Sequence, residues 1–295
     1  MGDTLKREVF FYSENCKIAG DLYVPDACAE AAPLPAIILC HGFSGIREIL
    51  LPPYAEAFSR RGFAALVFDY RGFGDSEGER GRLIPAEQCV DIRNAITFME
   101  TVPEVDSSKI GLWGTSFGGA HAISVSAIDR RVKCLSVQIT FGSGERMVSG
   151  SMSSQEKEKL LATLQKAWQR AVTKNKPLSL NMDQILTDPE SKEFYLKTVE
   201  KFPKLKTRLP LLTIKESMEY MPENSISKLL IPVLIIGADK DIVCLVEESR
   251  ILFEKARDPK ELYILEGARH YDVYEGGYFT MSSGKALDWF ERYLK

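Results

Sequence analysis

The chain has 295 residues, 45% of them hydrophobic, and a formal net charge of −3. That is enough apolar material for one large domain or a domain with an insertion, and so small a charge gives no reason to expect nucleic acid as a partner. Met1-Gly2-Asp3-Thr4-Leu5-Lys6 carries no apolar stretch of a secretory leader, and Lys6 breaks the myristoylation pattern. No run of about 18 apolar residues occurs, so no membrane contact is expected. The six cysteines (Cys16, Cys28, Cys40, Cys89, Cys134 and Cys244) include no C-x-x-C pair, which argues against a zinc knuckle or a redox pair. A cytoplasmic protein with reduced thiols, no metal and no cofactor is the expectation.

In chain order, Glu8 to Tyr12 and Cys16 to Val24 read as an antiparallel hairpin around Ser13-Glu14-Asn15. Ala36 to Cys40 is a continuous apolar run, as in a strand buried on both faces, and it ends in His41-Gly42-Phe43-Ser44-Gly45. A helix is expected over Pro53 to Arg61 and a buried strand over Phe63 to Tyr70. The loop that follows, Arg71-Gly72-Phe73-Gly74-Asp75-Ser76-Glu77, falls short of a dinucleotide fingerprint because Glu77 stands where the third glycine belongs. Helix 85–101, the strand before Ser116, a small-residue helix after it and the strand Val132 to Thr140 continue the alternation. Such alternation implies a parallel sheet with right-handed crossovers.

The rhythm breaks over residues 141–226, where no strand signal is seen. Ser153-Ser154-Gln155-Glu156 is a capping-box pattern, and Leu160, Leu164, Trp168 and Val172 recur behind it at helical spacing. This segment is expected to be a helical cap inserted into a core of residues 1–140 and 227–295, with the stripe ending at Trp168 and Val172 facing the sheet's mouth. Its many Lys, Glu, Gln and Ser residues suggest a polar, unsealed cover. The alternation resumes with a strand at Ile231 to Gly237, a helix at Val246 to Ala256, a strand at Glu261 to Leu265 and a closing helix at Ser283 to Leu294.

The chemistry centres on Gly114-Thr115-Ser116-Phe117-Gly118, between a strand and a helix. That is the nucleophile-elbow spacing: the serine sits on a strained turn, and side chains at the flanking glycines would collide with neighbouring elements. A serine nucleophile needs a base and a carboxylate to hold the base in the right tautomer. Of the three histidines, His41 precedes the elbow and reads as structural, with its ring on local backbone. His121 lies on the helix after Ser116 and reads as a packing residue. His270 alone follows both the serine and an acid after a strand. For the acid, both Asp239 and Asp241 qualify; Asp241 is favoured because Asp241-Ile242-Val243 has the usual acid followed by an apolar pair. The backbone N–H groups of Phe43 and Phe117 are the candidate oxyanion donors.

The His-Gly-Phe-Ser-Gly, Asp-Tyr-Arg-Gly-Phe-Gly-Asp-Ser and Gly-Thr-Ser-Phe-Gly-Gly segments resemble the α/β-hydrolase superfamily. Within it they are similar to the dienelactone-hydrolase, Xaa-Pro-peptidase-like and polyketide-transferase-like branch. The resemblance implies an α/β class with a mostly parallel eight-stranded sheet, an antiparallel second strand and helices on both faces. It also implies a Ser–Asp–His triad that needs no cofactor. The expected activity is hydrolysis of an ester, thioester or amide of a small-molecule acyl substrate through an acyl-enzyme on Ser116. Acyl transfer to an alcohol or amine is the alternative, and a ligand-binding protein on a retired hydrolase fold is a third reading. Homo-oligomerisation is left open.

Overall fold

The computed structural model describes residues 3–26 and 32–295; Cys28 and part of the loop after the hairpin lie outside them. The strands are β1 (Thr4–Ser13), β2 (Cys16–Pro25), β3 (Leu34–Cys40), β4 (Ala64–Phe68), β5 (Val105–Thr115), β6 (Val132–Gln138), β7 (Ser179–Asn181), β8 (Arg208–Pro210), β9 (Val233–Ala238) and β10 (Lys260–Leu265). Eight of them form one sheet in the order β1-β2-β4-β3-β5-β6-β9-β10. β2 is antiparallel to both its neighbours, and the remaining pairs are parallel. The eight strands and the antiparallel second strand are those the resemblance implies.

The apolar runs behave as strands buried on both faces. Ala36, Ile38 and Cys40 of β3 point into one core, whereas Ile37 and Leu39 point into the other. Helices α1 (Pro52–Arg60), α2 (Pro85–Met99) and α3 (Phe117–Ser126) fill the first crossovers. The core that holds Ile38 is closed by Ile92 and Ile96 of α2 and Ala120 and Ile123 of α3. The opposite core packs Tyr54 and Phe58 of α1 against Phe290 and Leu294 of the last helix.

Between β6 and β9 lie α4 (Gly144–Ser149), α5 (Ser154–Lys174), α6 (Met182–Ile185), α7 (Pro189–Lys201), α8 (Thr213–Met218) and α9 (Glu223–Ile226). α5 starts at the expected capping box, with the Ser153 hydroxyl accepting the Glu156 N–H and the Glu156 carboxylate accepting the Ser153 N–H. Two expectations for this segment fail. It does contain strands, since β7 and β8 pair antiparallel over three residues each, too short for any periodicity to register. The α5 stripe also does not end at the sheet's mouth. Leu164 and Ala167 pack on Leu211 and Met218 of the same segment, while Trp168 is half exposed under the Lys215 ammonium and Val172 is largely in solvent. The chain closes with α10 (Val246–Lys255) and α11 (Gly276–Leu294).

Candidate active site

The candidate side chains hang from the carboxyl ends of parallel strands of the sheet. β5 ends at Thr115 and α3 begins at Phe117, so Ser116 alone makes the turn, at φ 52°, ψ −125°. A positive φ costs a non-glycine residue energy and is kept where the surroundings over-determine it. Here the Ser116 N–H donates to the Gln138 carbonyl of β6 at 3.0 Å, and the Thr140 hydroxyl donates to the Ser116 carbonyl at 2.7 Å. The flanking glycines permit the turn. A Cβ on Gly114 would stand 2.5 Å from the Gly118 carbonyl oxygen, and one on Gly118 would run into the Cys40 and His41 carbonyls at the end of β3.

Asp241 and His270 come from the loops after β9 and β10. Asp241 Oδ2 and His270 Nδ1 are 2.7 Å apart, with both side chains buried. The other oxygen, Oδ1, accepts the N–H groups of Val243 at 2.7 Å and Cys244 at 2.8 Å, so the carboxylate cannot rotate away. Asp239 points elsewhere: its Oδ1 accepts the Gly267 N–H and ties the two loops together. The geometry therefore brings Asp241, not Asp239, to the imidazole.

Ser116 and His270 line one cavity of about 280 Å³. Among the described residues no hydrogen bond links the Ser116 hydroxyl to His270; the hydroxyl instead neighbours the Cys244 thiol. Burial pushes that thiol well above its ordinary value, so it stays protonated and is a poor nucleophile. The Phe43 and Phe117 N–H groups donate to no other group among the described residues. Their loops meet closely, since a Cβ on Gly42 would stand 3.3 Å from Ser116 Cβ.

The other histidines are occupied structurally. His41 Nε2 lies 3.1 Å from the Ile49 carbonyl, and burial lowers its pKa to about 4. His121 is bracketed by Gln88 Oε1 at 2.8 Å and the Tyr220 hydroxyl at 3.1 Å, and burial lowers it to about 3. Tyr220 comes from the 141–226 segment and also donates to the Ala120 carbonyl at 3.0 Å, pinning that segment to α3.

Sequence reasoning missed what surrounds His270. The Phe194 ring of α7 stacks on Tyr271, with centroids 4.2 Å apart and planes 16° apart. Glu190 accepts the Tyr271 N–H at 3.4 Å, and burial raises its carboxyl above the usual value beside His270 and Asp241. Much of the cavity wall is apolar and comes from residues 141–226, among them Met147, Met152, Met182 and Ile185. Most of the Lys residues that suggested a polar cover, Lys166 and Lys174 among them, lie on the outside of that segment. Among the described residues no group of three or more His, Cys, Asp and Glu side chains could hold a metal ion. Among the described residues no helix is long and apolar enough to cross a membrane.

A mostly parallel sheet of this order, with an elbow serine and a paired acid and histidine on adjacent loops, defines the α/β hydrolases. The chain matches the family model described as serine aminopeptidase, S33 over residues 31–276 and belongs to that family. It is 43% identical over 261 residues to an uncharacterized 31.7 kDa protein in the traX-finO intergenic region of Escherichia coli, covering 88% of this chain and 91% of that protein. It is 30% identical over 288 residues to the thiohydrolase aneE of Aspergillus aculeatus, covering 92% and 87%. A solved structure of DcsB in complex with its substrate analogue superposes with a TM-score of 0.85 at 26% identity, covering 98% of this chain and 100% of that one.

Proposed function

We propose that this α/β hydrolase is a serine hydrolase that cleaves an ester or thioester of a largely apolar small-molecule acyl group, with amides as slower substrates. The observation that carries the reading is the 2.7 Å contact between Asp241 and His270 beside an elbow serine that opens on the same cavity. Asp241 holds the Nδ1 proton on His270, which leaves Nε2 free to accept a proton. After a rotamer change from the Cys244 side, the Ser116 hydroxyl gives its proton to Nε2 as Oγ bonds to the carbonyl carbon. The oxyanion is met by the Phe43 and Phe117 N–H groups, the second at the positive end of α3. Collapse breaks the bond to the alcohol or thiol, which leaves with the proton from His270. Water then repeats the sequence and releases the acid. Residues 141–226 act as the cap that supplies the acyl wall. The relative named a thiohydrolase favours a thioester among these bonds.

Acyl transfer is the second reading, favoured by the apolar wall, which would hold water away from the acyl-enzyme. The test offers an acyl thioester in buffer alone and then with candidate alcohols or amines. Acid release at an acceptor-independent rate supports the hydrolase, and turnover only with an acceptor makes the protein a transferase. Failure of a fluorophosphonate probe to label Ser116 would refute both.

A further inference from the structure

The cavity at Ser116 shares a wall with a second hollow on the outside of the molecule. Ile49, Leu50 and Phe194 line both: the inner cavity of about 280 Å³ and an outer groove of about 680 Å³. The outer groove is floored by Pro52, Pro53 and Phe202 and flanked by Thr198 of α7. The partition is tied to the site on both sides. The Ile49 carbonyl is held by His41 at 3.1 Å, and Phe194 is stacked on Tyr271, next to His270. Leu50 itself stands at φ +61°, in the left-handed region that leucine seldom occupies. Such strain persists only where the surroundings over-determine it, and it clusters at ligand clamps and switch regions.

We propose that the partition is a passage, and that the outer groove is a subsite for the distal end of an acyl group too long for the inner cavity. The proposal rests on the reading of Ser116 as the residue that takes up the acyl group. The charges around the groove decide the chemistry of that distal end. Of the charged groups along it, Glu48 is engaged by Lys204 and Lys197 by Glu193, which leaves Glu200 and Lys201 to balance one another. The groove therefore has no surplus positive charge for a phosphate or carboxylate, while its floor is apolar. It takes an uncharged hydrocarbon tail. Leu50 and Phe194 set how easily the chain passes, and the groove sets the preferred length.

Two measurements test this. The first is the ratio of kcat/KM for p-nitrophenyl dodecanoate to that for p-nitrophenyl acetate, in the wild-type protein and in Thr198→Trp and Thr198→Glu. The first variant fills the groove from the α7 side and the second puts a charge in it; Thr198 is half-buried and its hydroxyl donates to the Phe194 carbonyl at 2.7 Å, so thermal melting accompanies each variant to show that it folds. The ratio is expected to favour dodecanoate in the wild type and to fall at least tenfold in both variants. A wild-type ratio favouring acetate, or a ratio unmoved by both variants, overturns the subsite. The second is calorimetric binding of sodium dodecanoate and sodium butanoate to Ser116→Ala, which needs no turnover. Each buried methylene is worth about fourfold in affinity, so dodecanoate should bind far more tightly, and adding Thr198→Trp should remove at least tenfold of that advantage. If no ester is hydrolysed but this binding pattern holds, the subsite stands and the esterase reading falls. If esters are hydrolysed but dodecanoate binds no better than butanoate, the subsite falls alone.

Discussion

Replacing Asp241 by Asn separates its role from that of Asp239. The Asn side-chain oxygen can still accept the Val243 and Cys244 N–H groups that Asp241 Oδ1 now holds at 2.7 and 2.8 Å. The fold of the loop should therefore survive. The amide nitrogen would then occupy the position that lies 2.7 Å from His270 Nδ1. An NH₂ donates, so Nδ1 must become the acceptor and the ring proton moves to Nε2. A protonated Nε2 cannot take the Ser116 proton, and the imidazolium loses its carboxylate. In the trypsin case this tautomer error costs about 10⁴ in rate, or roughly 5 kcal/mol at about 1.4 kcal/mol per tenfold. Asp239→Asn keeps an oxygen for the Gly267 N–H and should cost less than tenfold. The assay is kcat/KM on a p-nitrophenyl ester, with thermal melting to show that both variants fold. If Asp239→Asn shows the larger loss, or Asp241→Asn stays within tenfold of wild type, the assignment of the acid is wrong.

Ser116→Ala and His270→Ala should each abolish nearly all ester turnover while leaving the melting temperature within a few degrees, because such groups act as a unit; wild-type-like activity in either would defeat the assignment. Two helical glycines should respond with opposite signs. Gly284→Ala meets nothing within 4 Å and should stabilise by about 0.5–1 kcal/mol, whereas Gly118→Ala drives a methyl into the Cys40 carbonyl and should destabilise by about 1–3 kcal/mol, both read by urea unfolding. The buried histidines predict a pH dependence. His41 and His121 are depressed to about 4 and about 3 from 6.5, so the unfolded chain takes up their protons first as the pH falls. Stability is full above about pH 6.5 and should drop by roughly 4 kcal/mol for the pair on going to pH 5. A urea midpoint that is flat over that range would show that neither ring stays neutral in the folded protein.

The sheet was readable because its strands are buried on both faces, so Ile37-Ile38-Leu39 and Ala65-Leu66-Val67 are unbroken apolar runs. The elbow was readable because its glycines are forced by backbone contacts that no side chain could satisfy. His270 was picked out by chain order and Asp241 by the apolar pair after it, and the loop geometry brings these two side chains together. The 141–226 segment was legible as a break in rhythm but not in detail. Its inward-facing residues, such as Met147, Met152 and Phe194, come from short elements with no period to expose them. The stripe on α5 misled for a physical reason. An amphipathic helix announces that it has a buried face, but not whether that face meets the sheet or, as for Leu164 and Ala167, its own segment.

β10 is the last strand of the sheet, bonded on one side only, and five of its six residues are only partly buried. His270 hangs from the loop that follows it, whereas Ser116 sits at the centre of the sheet. Elements at an edge open more cheaply than those in the middle, without waiting for global unfolding. The imidazole therefore rides on one edge of the sheet, held in register by β9 and by the Asp239 clasp on Gly267. Under warming or mild denaturant, ester turnover should fade while the far-ultraviolet spectrum and the fluorescence of buried Trp113 still report an intact protein. Activity would then track the closing of one sheet edge, and strengthening the clasp, not the core, would lengthen the working life of the enzyme.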